Sequence, residues 1–178
     1  MSLNLYMPND FFLKHSLSGW SQRVNGFSGR IRMEFEDLNP GLRYAVYLEL
    51  KNYSFDIITV NNKPQIHAEL FDVSGKKINS IDLPGYGPDT VLQWAVIPHD
   101  AYIGFRIDGQ GVGVPAREQG KILLATGRKN WLLAKGRYIL KAVAAFNKET
   151  DGPFNQWNGM LILPPVEIAV TEEMFKAK

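Results

Sequence analysis

The sequence predicts an all-β sandwich of seven to nine mostly antiparallel strands with long decorated loops. Three observations carry this. From Gly29 onward, short apolar or alternating runs are separated by dense turn chemistry: Asn39-Pro40-Gly41, Asn61-Asn62-Lys63-Pro64, Ser74-Gly75, Pro84-Gly85-Tyr86-Gly87-Pro88, Pro98-His99-Asp100, Asp108-Gly109, Lys135-Gly136 and Asp151-Gly152-Pro153. Each group supplies a glycine that tolerates positive φ or a proline that fixes φ and removes a ladder donor. Several runs alternate with the period of two that a half-buried strand requires. No window of a dozen residues holds a 3.6-residue period.

In chain order, Arg30 to Glu36 is the first expected strand. Arg43 to Lys51 is the clearest, with Tyr44, Val46, Leu48 and Leu50 on one face and Arg43, Ala45, Tyr47, Glu49 and Lys51 on the other. Pro64 to Val73 alternates likewise and turns through Ser74-Gly75 into Lys77 to Leu83, a hairpin. Thr90 to Ile97, Ala101 to Asp108 and Lys121 to Thr126 follow. Arg137 to Phe146 alternates again, although its second face (Ile139, Lys141, Val143, Ala145) is too apolar for full exposure. Met160 to Val170 contains Pro164-Pro165, which cannot sit in a central ladder and is expected at a bulge or bend of an edge strand. Helix is expected only as a turn or two within Asn9 to Leu17 and in the tail after Thr171, a candidate cap for Glu172 and Glu173. With no repeat or linker-like stretch, residues 29–178 read as a single domain and residues 1–28 as an N-terminal extension packed on it.

Composition narrows the chemistry. The 178 residues are 45% hydrophobic and 21% charged, with a formal net charge of +2. That is the profile of one globular domain, long enough to be stable without disulfides or a metal. The absence of cysteine removes disulfides, thiolate nucleophiles, cysteine zinc sites and iron-sulfur clusters. Interspersed charge of both signs gives no electrostatic footprint for nucleic acid, and the basic stretch Arg128, Lys129, Lys135 and Arg137 reads as a solvated rim. No apolar run reaches the ~20 residues of a membrane-spanning helix. Phe11-Phe12-Leu13 is too short for a signal-peptide core and no basic segment precedes it. The opening Met1-Ser2-Leu3 is compatible with a vector-derived start in place of a removed leader.

Motifs for catalysis are missing or incomplete, so no catalytic, cofactor or metal residue is assigned. Asp108-Gly109-Gln110-Gly111-Val112-Gly113-Val114-Pro115 lacks the final glycine and following helix of a dinucleotide fingerprint, and it lacks the P-loop Lys and Ser/Thr. His15, His67 and His99 share no metal-ligand spacing, and His67 with Glu69 reads as an exposed strand face. No G-x-S-x-G elbow is present. Glu34, Glu36 and Asp37 could supply the paired carboxylates of a glycosidase, which leave no spacing signal, but they read more simply as a solvated strand end. Aromatics in turns are the remaining signal: Tyr86 among prolines and glycines, then Phe154 and Trp157 in the loop Asn147 to Asn158. A Trp beside Asp, Asn and Gln is suited to a sugar face or a partner's apolar patch. The competing reading is that these rings fold back over the open end of the sandwich.

Three segments carry a resemblance. Tyr44-Ala45-Val46-Tyr47-Leu48-Glu49-Leu50-Lys51-Asn52, Leu70-Phe71-Asp72-Val73-Ser74-Gly75-Lys76-Lys77-Ile78 and Leu133-Ala134-Lys135-Gly136-Arg137-Tyr138-Ile139-Leu140 resemble bacterial immunoglobulin-like modules, in which a strand ending in Lys-Asn, a D-x-x-G-K hairpin and a G-x-Y strand recur. Trp157-Asn158-Gly159 to Val170 is similar to a terminal strand entered through a W-x-G turn. The nearest neighbourhoods are proteinase inhibitors of the BsuPI type and accessory immunoglobulin-like domains of secreted bacterial proteins. The resemblance implies an Ig-like sandwich, a corner tyrosine at Tyr138 whose buried hydroxyl bonds the backbone, and an extracytoplasmic location. It also implies a non-enzymatic module that binds a protein or glycan through loops at one end, without a cofactor. Tyr86, Phe154 and Trp157 are its expected contacts. A protease inhibitor of Ig-like fold and a carboxylate-based carbohydrate hydrolase are the alternatives.

Overall fold

The longest strands form where the period-two alternation is strongest. The computed structural model describes residues 15–38, 41–81, 92–108 and 119–176. In it lie β1 (His15–Leu17), β2 (Phe27–Asp37), β3 (Leu42–Asn52), β4 (Ile58–Asn61), β5 (Gln65–Asp72), β6 (Lys77–Ile78), β7 (Trp94–Ile97), β8 (Tyr102–Arg106), β9 (Ile122–Thr126), β10 (Lys129–Leu133), β11 (Gly136–Phe146) and β12 (Gly159–Val170). The protein is all-β. Among the described residues, the short β1, β4 and β10 lie outside the nine runs expected to be strands. β1 falls where a helical turn was expected, because its three residues pair along β2 from His15↔Glu34 to Leu17↔Arg32. β2 also crosses the boundary drawn at residue 28. At the other terminus a 3-10 helix, Glu172–Phe175, follows Thr171, whose side chain makes no capping bond. The glycine run after Asp108 and the Pro84–Pro88 turn with Tyr86 lie outside the described residues.

One sheet has the order β1-β2-β3-β9-β10, with β8 also paired to β3; the second has the order β12-β11-β5-β6; β4 and β7 form a separate pair. Among the described residues, all pairings between these strands are antiparallel except β3 with β9 at Arg43↔Leu123 and Tyr44↔Leu124. The core between the two larger sheets takes Phe27, Ile31, Leu48 and Leu50 from the first and Leu70, Leu140, Leu161 and Ile168 from the second. β2 packs tightly against β12 at Gly29, where a Cβ would stand 2.9 Å from a Leu163 methyl and 3.0 Å from one of Leu161. Along one margin the sheets join. Ile81, just beyond β6, bridges Asn130 of β10, and the Trp131 indole donates to the Ile78 carbonyl at 3.1 Å.

The double proline behaves as its chemistry requires. Leu140 pairs with Val166 and Ala142 with Leu163, so Lys141 alone faces Pro164-Pro165 in a bulge of β12, an edge strand. The Tyr138 hydroxyl donates to the Ala134 carbonyl at 3.0 Å, as a corner tyrosine would, although the ring is half-buried rather than buried. The basic rim is mostly engaged. Lys129 donates to the Ala68 carbonyl at 3.0 Å, Lys135 pairs with Glu172, and Arg137 lies 3.2 Å from Glu167.

Two tight turns set strand register. Val24 and Phe27 exchange both backbone hydrogen bonds across Asn25-Gly26, at φ +48° and +80°. Gly127-Arg128, at φ +58° and +62°, joins β9 to β10. Positive φ at both central residues matches the natural twist of a hairpin. At Gly127 a Cβ would stand 2.3 Å from the Ile66 carbonyl oxygen, so this turn is wedged against β5. Gly127→Ala is expected to cost more than about 2 kcal/mol, because left-handed strain and a backbone clash add. Arg128→Gly relieves the strain without a clash and is expected to change stability by less than about 1 kcal/mol. Urea midpoints of the two variants check the contrast; similar destabilisation by both would count against it.

Candidate functional site

The loop Asn147 to Asn158 sits at the end of the molecule where β3 stops, β11 leaves and β12 begins. Its three residues Asn155, Gln156 and Trp157 run beside β4. The Thr59 amide donates to the Asn155 carbonyl at 3.2 Å, and the Trp157 amide donates to the Thr59 carbonyl at 2.8 Å. Side chains reinforce this ladder. Thr59 Oγ1 donates to Asn155 Oδ1 at 3.0 Å, and Asn155 Nδ2 donates to the Ile57 carbonyl at 2.9 Å. Gln156 closes the loop on itself, accepting from the Glu149 amide at 2.8 Å and donating to the Glu149 carbonyl at 2.7 Å.

This anchoring divides the expected contact residues. Trp157, named among the expected contacts, is instead buried, as the competing fold-back reading requires: it is 6% exposed, stacked on Phe27 at 5.2 Å between ring centroids and edge-on to Phe146 at 5.4 Å. Its Nε1 has no hydrogen-bond partner among the described residues, so apolar packing alone holds the ring. The correction has a simple cause: W-x-G turns the chain into β12 along the core, and Gly159 leaves room for the indole, 3.0 Å from where its Cβ would be. Phe154, one residue before the anchored triplet, is fully exposed. Tyr86 lies outside the described residues.

A second exposed ring, Phe55, was not singled out from the sequence. It is 92% exposed in the loop that follows β3, stacked on His99 at 5.1 Å. This loop is pinned by Asn52, which is fully buried. The Asn52 amide donates to the carbonyls of Asp56 (2.8 Å) and Ile97 (2.9 Å), and its Oδ1 accepts from the Ser54 amide (2.8 Å) and hydroxyl (2.7 Å). His99 Nδ1 lies 2.6 Å from the Ser54 carbonyl oxygen. The two loops meet on the β4–β7 pair. Asn155 bonds Ile57, two residues from Phe55, and Thr59 stands opposite Val96 in register. Ile57 and Val96 are themselves 56% and 64% exposed. Phe55, Ile57, Val96 and Phe154 therefore decorate one end of the fold, a grouping that only the β4–β7 register reveals.

The carboxylates follow a different pattern. Glu34 pairs with Arg32, and Glu36 accepts from Arg43 at 2.6 Å and from Arg106 at 3.0 Å. Glu49, nearly buried, accepts from Arg30 at 2.6 Å and Arg32 at 2.7 Å, while Arg106 also pairs with Asp108 at 2.7 Å. Burial pushes the Glu36 carboxyl up, but hydrogen bonds and charge from Arg43 and Arg106 outweigh it and hold the group below the usual carboxylate range. A glycosidase acid needs the opposite shift. Stability from Glu36 is thus present above its unfolded value and lost as pH falls through the lowered folded value. Of the expected strand-end carboxylates, Glu34 and Glu36 are paired with arginines in an ion network along β2 and its neighbours. Among the described residues no group of three or more His, Cys, Asp or Glu side chains could hold a metal ion.

Burial predicts opposite outcomes for neighbouring rings. Trp157→Ala is expected to cost about 3 to 5 kcal/mol, as a large core truncation does, and Phe154→Ala less than about 0.5 kcal/mol. Urea denaturation measures both. A variant retaining Trp157 as its single tryptophan should emit at short wavelength and resist iodide quenching; a readily quenched indole would overturn the assignment.

Comparison with protein-family models, curated proteins and solved structures finds no significant match to this chain.

Proposed function

We propose that this chain is a non-enzymatic recognition module of immunoglobulin-like type, which engages a partner through the end formed by Phe154, Phe55, Ile57 and Val96. The observation that carries the reading is the pair of almost fully exposed phenylalanines on loops whose neighbouring amides are engaged internally. Exposed rings that cluster with aliphatic neighbours are a solvation liability and mark contact surfaces. Pinned loops lose little entropy on binding, which favours affinity. The ion network supports the same reading against hydrolysis, since its acidic groups are matched to arginines. Insertion of the pinned Phe154 loop into a protease cleft is a narrower form of this proposal.

The test compares wild type with Phe154→Ala, Phe55→Ala and a control, Val73→Ala. Val73 is exposed but lies in the β5–β6 turn at the opposite end. Each is screened against an immobilised glycan array and a displayed library of random dodecapeptides. Ligands retained by wild type and the control are expected to bind either phenylalanine variant about tenfold or more weakly, the scale of an interface hot spot. Ligands that bind all four proteins equally, or none in either panel, would contradict the proposal.

A further inference from the structure

We infer that the partner of this end is a protein offering an apolar recess with basic side chains at its rim, rather than a glycan; the inference rests on the recognition reading above. A sugar face needs an aromatic plane flanked by side chains that both donate to and accept from hydroxyl groups. The amides next to the Phe154 ring turn away from that task. Asn155 bonds Thr59 and Ile57, and both polar atoms of Gln156 bond Glu149. At the other ring, Asn52 is buried with its amide and carbonyl engaged, and the Ser54 hydroxyl donates to Asn52. Beside the rings stand the aliphatic Ile57 and Val96, and His99, whose Nδ1 is engaged with the Ser54 carbonyl, stacks on Phe55. Projecting apolar side chains of this kind fit a complementary apolar recess and offer little to hydroxyl groups.

Charge gives the rim of the partner. Asp56 lies between Phe55 and Ile57, and Glu149 and Asp151 precede Phe154 in its loop; all three are exposed. Lys148 is the one cation in the two segments 53–57 and 147–158. Of the cations that reach this end from other segments, Lys51 is held 2.8 Å from Asp100 and Arg23 is stacked over the Tyr53 ring. An apolar surface edged by acidic groups selects a partner whose recess is edged by Lys or Arg, and such matching sets specificity and association rate.

The panels described above separate the outcomes. Peptides enriched on wild type are expected to combine Leu, Ile, Met or aromatic residues with Lys or Arg. A synthetic peptide of the enriched sequence should bind Phe154→Ala about tenfold or more weakly. Its affinity should fall several-fold when NaCl is raised from roughly 50 to 500 mM, where exposed charges are screened, and similarly for the double variant Asp56→Asn, Asp151→Asn. Binding only to glycans, with dependence on Phe154, would overturn this inference and leave the recognition reading standing. Enriched peptides that are acidic, or whose affinity ignores salt and the double variant, would overturn it as well. No binder in either panel would overturn both.

Discussion

The buried amide of Asn52 is the interaction on which the candidate binding end depends. It sits at the last position of β3, with no exposed surface, and its donors and acceptor reach Ser54, Asp56 and Ile97. Its backbone extends the same hub: the Asn52 amide donates to the Ala101 carbonyl at 3.0 Å, and its carbonyl accepts from the Asp100 amide at 2.8 Å. A polar side chain buried without partners would cost several kcal/mol, whereas one satisfied on every side fixes a single arrangement of the segments around it. One residue thereby ties the end of β3 to the Phe55 loop, the end of β7 and the turn before β8.

The Phe154 loop uses a different device for the same result. Trp157 anchors it from below through stacking with Phe27 and Phe146, and Asn155 and Gln156 stitch it sideways to β4 and to itself. The amides of Asn155 and Gln156 are engaged internally while the Phe154 ring stands outward, the reverse of an ordinary solvated loop. At the far end the hairpin turn at Asp72 is ordinary, with the Asp72 carboxylate accepting from the Ser74 and Lys76 amides and no exposed aromatic ring. Among the described residues these two sets of connections therefore differ in chemistry although similar strands enter both. That asymmetry makes one of them a candidate surface.

Much of the fold is legible from residue pattern. Leu42–Asn52, Gln65–Asp72 and Gly136–Phe146 show period-two alternation strong enough to give both their extent and their inward faces, and Pro164-Pro165 announces its bulge because proline cannot donate to a ladder. Other elements are hidden for identifiable reasons. β10 begins at Lys129, directly after Arg128 at positive φ, a conformation that arginine gives no reason to expect. The Asn25-Gly26 turn is a recognisable hairpin signal that the punctuation beginning at Gly29 passes over. Arg30, Arg32, Glu34 and Glu36 alternate along β2, but their pairing with Arg43 and Glu49 is fixed by the β2–β3 register, which no local pattern encodes. Whether a loop aromatic points in or out depends on what lies beneath it, so Trp157 and Phe154, three residues apart, have opposite fates that composition cannot separate. Phe55 carried a weaker signal, an aromatic between Ser54 and Asp56 just after a strong strand.

Native-state amide hydrogen exchange tests the central claim, that both loops are pinned so that their rings stand outward in one arrangement. The informative amides are Ser54, which donates to Asn52 Oδ1, Asp100, which donates to the Asn52 carbonyl, and Trp157, which donates to Thr59. All three belong to loops, whose amides would ordinarily exchange near the intrinsic rate. If the loops are held as described, all three amides are slowed by roughly a thousandfold or more, approaching the protection of β3. Exchange of Ser54 and Asp100 at rates typical of open loops, with β3 still protected, would contradict the account.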